Sequence, residues 1–193
     1  MKLVSIVKEI NLKKHLVDST AVMTVATPVM AAVEKFNQHP LATQTSINSR
    51  LLAIGLTYAG FGSLFTWLRG HSRNMFGITP ESTEKAKKFH DIAYSLAYGV
   101  VTTVPFYLIA GARGEQDVGW NTFYNVAAMG ATGWLLGYSV DAFRDFFNVE
   151  PSERLPQVIQ QFSPREKKGL AALAVTASLA ITGLAYNLAP YFS

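Results

Sequence analysis

The sequence predicts an all-α polytopic membrane bundle, with four spans followed by a fifth at the C-terminus. Three observations point there. Charged residues are only 16% of the 193-residue chain, and they gather in short stretches. Between them lie charge-free runs close to the roughly 20 residues that a helix needs to cross hydrocarbon. Lysine and arginine then concentrate in alternate connecting segments, as the cytoplasmic bias of basic loops requires. Five such runs carry too much apolar surface for a soluble domain of this size to bury.

The first run, Ser19–Val33, has 15 residues between Asp18 and Glu34 and spans only with Leu16, Val17 and Phe36 included. Leu51–Leu68, Ile92–Ala112 and Gly119–Val140 have 18, 21 and 22 residues, and Gly169–Ser193 is uncharged to the chain end. Met1–Leu16 sets Leu3, Ile6, Val7, Ile10 and Leu12 among lysines. That spacing fits an amphipathic interfacial helix as well as a frayed tail. Asn11 or Asp18 can cap the first helix. Residues 37–48 read as a polar loop, Thr79-Pro80-Glu81 as a helix start, and Gly111–Gly119 as a short turn. Phe147–Lys168, with Pro151, Pro156 and Pro164, reads as a linker with a short helix around Leu155–Gln161. Ser163-Pro164-Arg165-Glu166 has the form of a capping box. The chain thus divides into an N-terminal segment (1–16), a four-span domain (17–147), a linker (148–168) and a C-terminal span (169–193).

Basic residues fix the expected orientation. The N-terminal segment, the second loop and the fourth hold 14 of the 17 lysines and arginines. The alternate segments hold only Lys35, Arg50 and Arg113. The N-terminus is therefore expected in the cytoplasm and the C-terminus outside. Anionic lipid head groups account for the net charge of +4, so the bilayer is the expected partner and nucleic acid is not. Lacking cysteine, the chain has no disulfide, thiolate metal site or cysteine nucleophile. His15, His39, His71 and His90 are scattered, and no hydrolase or nucleotide motif appears. No enzyme, metal or cofactor is expected.

Lipid solvates apolar side chains, so helices must associate through small and polar residues. Gly130, Gly133 and Gly137 offer such a surface, as do Gly55, Ala59 and Ser63. Packing inside the bundle is the simpler reading of both; a homodimer seam is the alternative. Trp67, Trp120, Tyr107 and Tyr191 fall near span ends, where aromatic belts form. A weak parallel repeat is also visible. Asp18 and Asp91 open spans one and three, 73 residues apart. At an offset of 75, Ala53, Gly55, Gly62 and Arg69 fall on Ala128, Gly130, Gly137 and Arg144.

Polar groups at membrane depth attract functional interest, although a charge at a span end also simply marks where the bilayer stops. Asp18, Asp91 and Asp141, with Glu34 at the opposite end, are the candidates for a proton carrier, because a buried carboxyl can load and release protons. Asp141 and Arg144 are three apart and can pair on one helix face. Pro28 and Pro105 free backbone carbonyls beside Thr24, Thr27, Thr102 and Thr103. With Arg50, Asn125 and Arg144, these are candidates to line a substrate path or only to satisfy local kinks.

Taken together, several elements resemble the bacterial L-alanine exporter family, small four-span inner-membrane proteins. They run in order: Asp18-Ser19-Thr20-Ala21 with Glu34; Ser49-Arg50-Leu51-Leu52-Ala53-Ile54 with Arg69; Asp91-Ile92, Ala97-Tyr98, Pro105-Phe106-Tyr107 and Gly111-Ala112; then Asn125, Gly137-Tyr138, Asp141, Arg144 and Phe147. The resemblance covers about Val17 to Phe147 and implies proton-driven export of L-alanine, with no binding set to carry over. The chain departs from the family in a longer Asp91-to-Pro105 interval, an extended loop at Gly70–Lys88 and the apparent C-terminal span. The rival expectation is an accessory membrane subunit that transports nothing.

Overall fold

The computed structural model describes residues 11–191. It is helical, with no strand among the described residues. The helices are α1 (Leu12–Phe36), α2 (Thr43–Leu56), α3 (Gly62–Met75), α4 (Glu84–Ile109), α5 (Glu115–Phe146), α6 (Gln157–Gln160) and α7 (Pro164–Leu188). A π-helical turn at Thr57–Phe61 joins α2 to α3. Successive long helices alternate in direction. One end of the bundle gathers residue 11, the 76–83 loop and the 147–163 linker; it is called the linker end below. There the Lys13 ammonium donates to the Asn148 carbonyl at 3.2 Å. At the far end, the Ser46 and Tyr186 hydroxyls are 2.9 Å apart. Helix α5 packs widely against α4 and α1, and α7 lies along α1.

Four helical stretches are long and apolar enough to cross a membrane: Leu12–Phe36, Thr43–Met75, Glu84–Ile109 and Pro164–Tyr191. The expected C-terminal span is one of them. The expected Gly119–Val140 run is not, although α5 is 32 residues long. Its buried Asn121 and Asn125 lower its apolarity, and a helix surrounded by other helices does not need a fully apolar face. Polarity is also inverted across the bundle. Leu51, Val101, Leu108, Ile109, Leu173 and Leu179 are exposed, whereas Asp18, Glu34, Arg69 and Asp91 are buried. Membrane proteins show this distribution, because lipid accepts the aliphatic surface and only protein can satisfy the charges.

The first span is longer than the charge-free run, because the helix starts at Asn11 and carries Asp18 inside it. The Asn11 side chain caps it, accepting from the Lys13 and Lys14 amides at 3.0 and 3.3 Å. The predicted loop 37–48 becomes helical from Thr43. The predicted start at Thr79-Pro80-Glu81 is instead a turn, closed by the Ser82 amide on the Thr79 carbonyl at 3.1 Å. Helix α4 begins at Glu84 with Thr83 as its cap. The linker helix is shorter than predicted, and the Ser163–Glu166 capping box is present. The amphipathic reading of Met1–Leu16 falls mainly on residues 1–10, outside the described residues.

Gly60 breaks the second span with φ of 133°, a backbone conformation that disfavours any side chain. Helix α1 satisfies the carbonyls on this turn. Ser19 donates to the Thr57 carbonyl at 3.1 Å, and His15 Nε2 bonds the Tyr58 carbonyl at 2.8 Å. Gly130 and Gly133 of α5 pack internally on α4: a Cβ on Gly133 would lie 2.8 Å from the Asp91 carbonyl oxygen, and one on Gly130 would lie 2.6 Å from Leu96. Gly55 meets nothing within 4 Å and Ala59 is exposed, whereas Ser63 bonds His15 Nδ1 of α1 at 2.7 Å. Of the expected belt residues, Trp67, Trp120 and Tyr191 are exposed, but Tyr107 is buried. A Cβ on Gly137 would collide with the Asp91 carboxylate and approach the Arg69 guanidinium to 2.7 Å. Gly137→Ala is therefore expected to lower stability by about 1–3 kcal/mol, read as a lower Tm in detergent.

Candidate functional site

Two polar layers cross the bundle, with a cavity between them. At the linker end, the Asp18 carboxylate accepts from Arg144 Nε and Nη2 at 2.7 and 2.8 Å and from the Thr66 hydroxyl at 2.7 Å. Asp91 is bonded by Arg69 through Nε and Nη2 at 2.9 and 3.0 Å, and by Arg73 at 2.8 and 3.0 Å. Arg69 also donates to both oxygens of Asp141 at 3.0 Å and to the Gly137 carbonyl at 3.0 Å. From the linker, Arg154 donates to Asp141 at 2.8 Å, to Asp91 at 3.1 Å and to Glu84 at 2.7 Å. Burial works against the charge on Arg154, but its bonds to Glu84 and Asp141 outweigh this and raise its pKa.

These bonds correct one expectation. Asp141 and Arg144 do not form the predicted i,i+3 pair. Arg144 instead crosses to Asp18 on α1, and Asp141 turns to Arg69 and Arg154. Asp18, Asp91 and Asp141 are all bonded by arginine. Each is held by guanidinium groups in fork geometry, which matches a carboxylate.

At the far end, Glu34 is fully buried and satisfied by mostly neutral donors. It accepts from Ser46 at 2.6 Å, Ser49 at 3.0 and 3.1 Å and the Tyr107 hydroxyl at 2.9 Å. Arg50 supplies the one guanidinium, through Nη2. The Asn125 amide donates to the Tyr107 oxygen. Asn125 is 2% exposed, and its Oδ1 has no hydrogen-bond partner.

A cavity of about 200 Å³ lies between the layers. Arg50, Tyr107 and Asn125 form its polar pole, Thr102 and Thr103 its wall, and Met23, Ala26, Met129 and Leu136 much of its apolar lining. At about 30 Å³ per water it holds roughly six waters, or one small organic molecule. Thr24, Thr27, Pro28 and Pro105 do not line it. The Thr24 and Thr102 hydroxyls bond carbonyls four residues back, at 2.7 and 2.8 Å, which is local satisfaction. Pro105 faces outward.

The bonding agrees with the weak repeat. Asp18 and Arg69 occupy the first half-unit, Asp91 and Arg144 the second, and the pairs form crosswise: Asp18 with Arg144, Arg69 with Asp91. The same offsets carry Glu34 onto Tyr107 and Arg50 onto Asn125; Arg50, Tyr107 and Asn125 form the cavity pole, and Glu34 is bonded behind it. Gly62 and Gly137 correspond too, each meeting a helix of its own half at Ser19 or Asp91. By sequence position Tyr107 reads as a belt residue, and Arg69, Arg73 and Arg154 count among the basic residues of the loops. The 73-residue offset from Glu34 was the signal for Tyr107; nothing in the sequence marked Arg154.

Arg144→Gln leaves the Asp18 carboxylate buried without its guanidinium, and is expected to cost about 3–5 kcal/mol. Asp18→Asn combined with it should recover most of that loss; thermal unfolding of the two variants in detergent gives the comparison. In comparison with known proteins, the chain matches no family model, no curated protein and no solved structure.

Proposed function

We propose that this protein is a carrier of the bacterial inner membrane that exports L-alanine or a similar small neutral amino acid by proton antiport. The observation that carries the reading is the small cavity whose polar pole offers a guanidinium and an unpartnered amide oxygen together. A zwitterion needs those two groups. Arg50 takes the carboxylate, Asn125 Oδ1 accepts from the ammonium, and the apolar lining leaves room for a methyl side chain. Larger or charged side chains meet Met23, Met129 and Leu136. The sequence resemblance points to the same substrate class. The basic-residue bias sets the linker end in the cytoplasm and the cavity pole toward the exterior.

Among the four acids considered, Glu34 suits the proton best. It shares Arg50 with the substrate carboxylate, and its remaining donors are neutral. Deprotonated, Glu34 holds Arg50 in place to receive the substrate carboxylate; a proton on Glu34 releases Arg50 and disfavours substrate, so proton and substrate occupy the site in turn. Asp18, Asp91 and Asp141 serve as structural counter-ions in this scheme. The chain can act alone or as a homodimer.

The test is accumulation of alanine in cells that lack other alanine exporters and are fed an alanine dipeptide. Expression of the protein should lower intracellular alanine. Arg50→Gln should remove a charge-assisted hydrogen bond and weaken export about tenfold or more. Alanine levels unchanged by the wild-type protein would overturn the reading and favour an accessory, non-transporting role.

A further inference from the structure

The linker occupies the mouth of the bundle. Leu155 is buried against Val17, Val140, Phe143 and Phe146, and the Ser152 amide donates to Asp145 Oδ2 at 3.1 Å. Between these two anchors Arg154 turns inward. Its side chain is 4% exposed, lies over the Tyr138 ring at 5.7 Å and reaches Asp91 and Asp141. Asp141 sits about one helical turn beyond Leu136, which lines the cavity on that side. Arg154 reaches this layer from outside the long helices, as does Glu150, which stays exposed and bonds Arg144 at 3.1 Å.

Charge decides which member of the layer can leave. Asp91 and Asp141 are already balanced by Arg69 and Arg73, so two carboxylates face two guanidiniums. Arg154 is a third guanidinium, and the acid that balances it is Glu84, at the exposed rim. Withdrawing Arg154 toward Glu84 therefore strands no buried charge. Arg69, by contrast, lies wholly among the helices, forked to both aspartates and bonded to the Gly137 carbonyl, with no rim acid to move toward. Arg73 also holds a buried Nε without a partner, beside the aspartates that Arg154 would release.

We infer that Arg154 is a detachable latch: the 148–163 linker closes the linker-end mouth of the cavity by inserting this side chain, and withdrawal of the linker opens it. The latch rests on the carrier reading for its purpose, since an exporter must load from that end. Its existence can be tested without transport.

The chain has no cysteine, so a single Thr103→Cys substitution places one reporter thiol in the cavity wall. The full chain is reconstituted in membrane vesicles of each orientation and labelled with a small, membrane-impermeant methanethiosulfonate. With Arg154 intact, labelling from the linker side should be slow. Adding Arg154→Gln should make it about tenfold faster from that side and leave the other side unchanged. Equal rates with and without Arg154→Gln would overturn the latch, and so would acceleration from the opposite face. Should Arg154→Gln aggregate in detergent, Glu84→Gln takes its place. It removes the rim acid toward which Arg154 withdraws and should slow labelling from the linker side; an unchanged rate there overturns the proposal equally. Alanine counterflow measured on the same vesicles separates the two ideas. Counterflow absent from the parent protein refutes the carrier reading, while the labelling rates alone decide the latch.

Discussion

Neutralisation of buried carboxylates by arginines on neighbouring helices is the constraint on which the bundle depends. Asp18 and Asp91 sit where solvent cannot reach them and Asp141 is largely covered, and an isolated carboxylate there is too costly to keep charged. Arg144, Arg69 and Arg73 meet that need only if α1, α3, α4 and α5 stand in one arrangement. Apolar packing in lipid has little preference between arrangements, because tails and leucines are equivalent neighbours. The ionic layer therefore supplies the register, and the glycines at 62 and 137 let the helices approach closely enough to make it.

The two polar layers differ in how firmly they bind their charges. At the linker end, guanidiniums outnumber the inner aspartates and every acid is held by at least one fork. At the far end, a single arginine faces a single glutamate among hydroxyls and an amide. A carboxylate with one cationic partner can exchange that partner for a ligand or a proton at far lower cost than one held by three. The proposed substrate chemistry falls at the weaker layer for this reason, and the proposed latch at the stronger one uses its only surplus cation. The kink at Gly60 lies between them, with its carbonyls held by His15 and Ser19 from α1.

The crosswise bonds give the faint repeat a physical meaning. A parallel duplication sets equivalent residues around an approximate twofold axis, where they meet each other or each other's partners. Glu34 bonds Tyr107 behind the cavity pole, which Arg50 and Asn125 line. One half supplies the charges and the other supplies neutral hydrogen-bonding groups of similar reach. Asp141 occupies the position that Thr66 holds in the first half. The second half thus carries an additional buried charge, and the additional arginines gather around it.

Much of this was legible in the residues. Run length and charge segregation determined the helices, because crossing hydrocarbon imposes a length and an apolarity that composition reveals directly. The Ser163 cap and the glycines of α5 were readable for the same reason: each depends on local geometry. Asp18, Glu34, Asp91, Asp141, Arg50 and Asn125 stood out as polar groups at depth. Their partners did not, since Arg144 is nearer to Asp141 in sequence and yet bonds Asp18, 126 residues away. Pairing is a property of which helices are neighbours, and sequence spacing along one helix is silent on that. Tyr107 passed for an interfacial aromatic, and Arg154 for a loop cation, until the fold turned each inward. The sequence by itself determined that this chain is a bundle of apolar helices with acids and arginines inside. Only the tertiary structure decided which charges meet, because the energy that selects the pairs arises between helices and not within them.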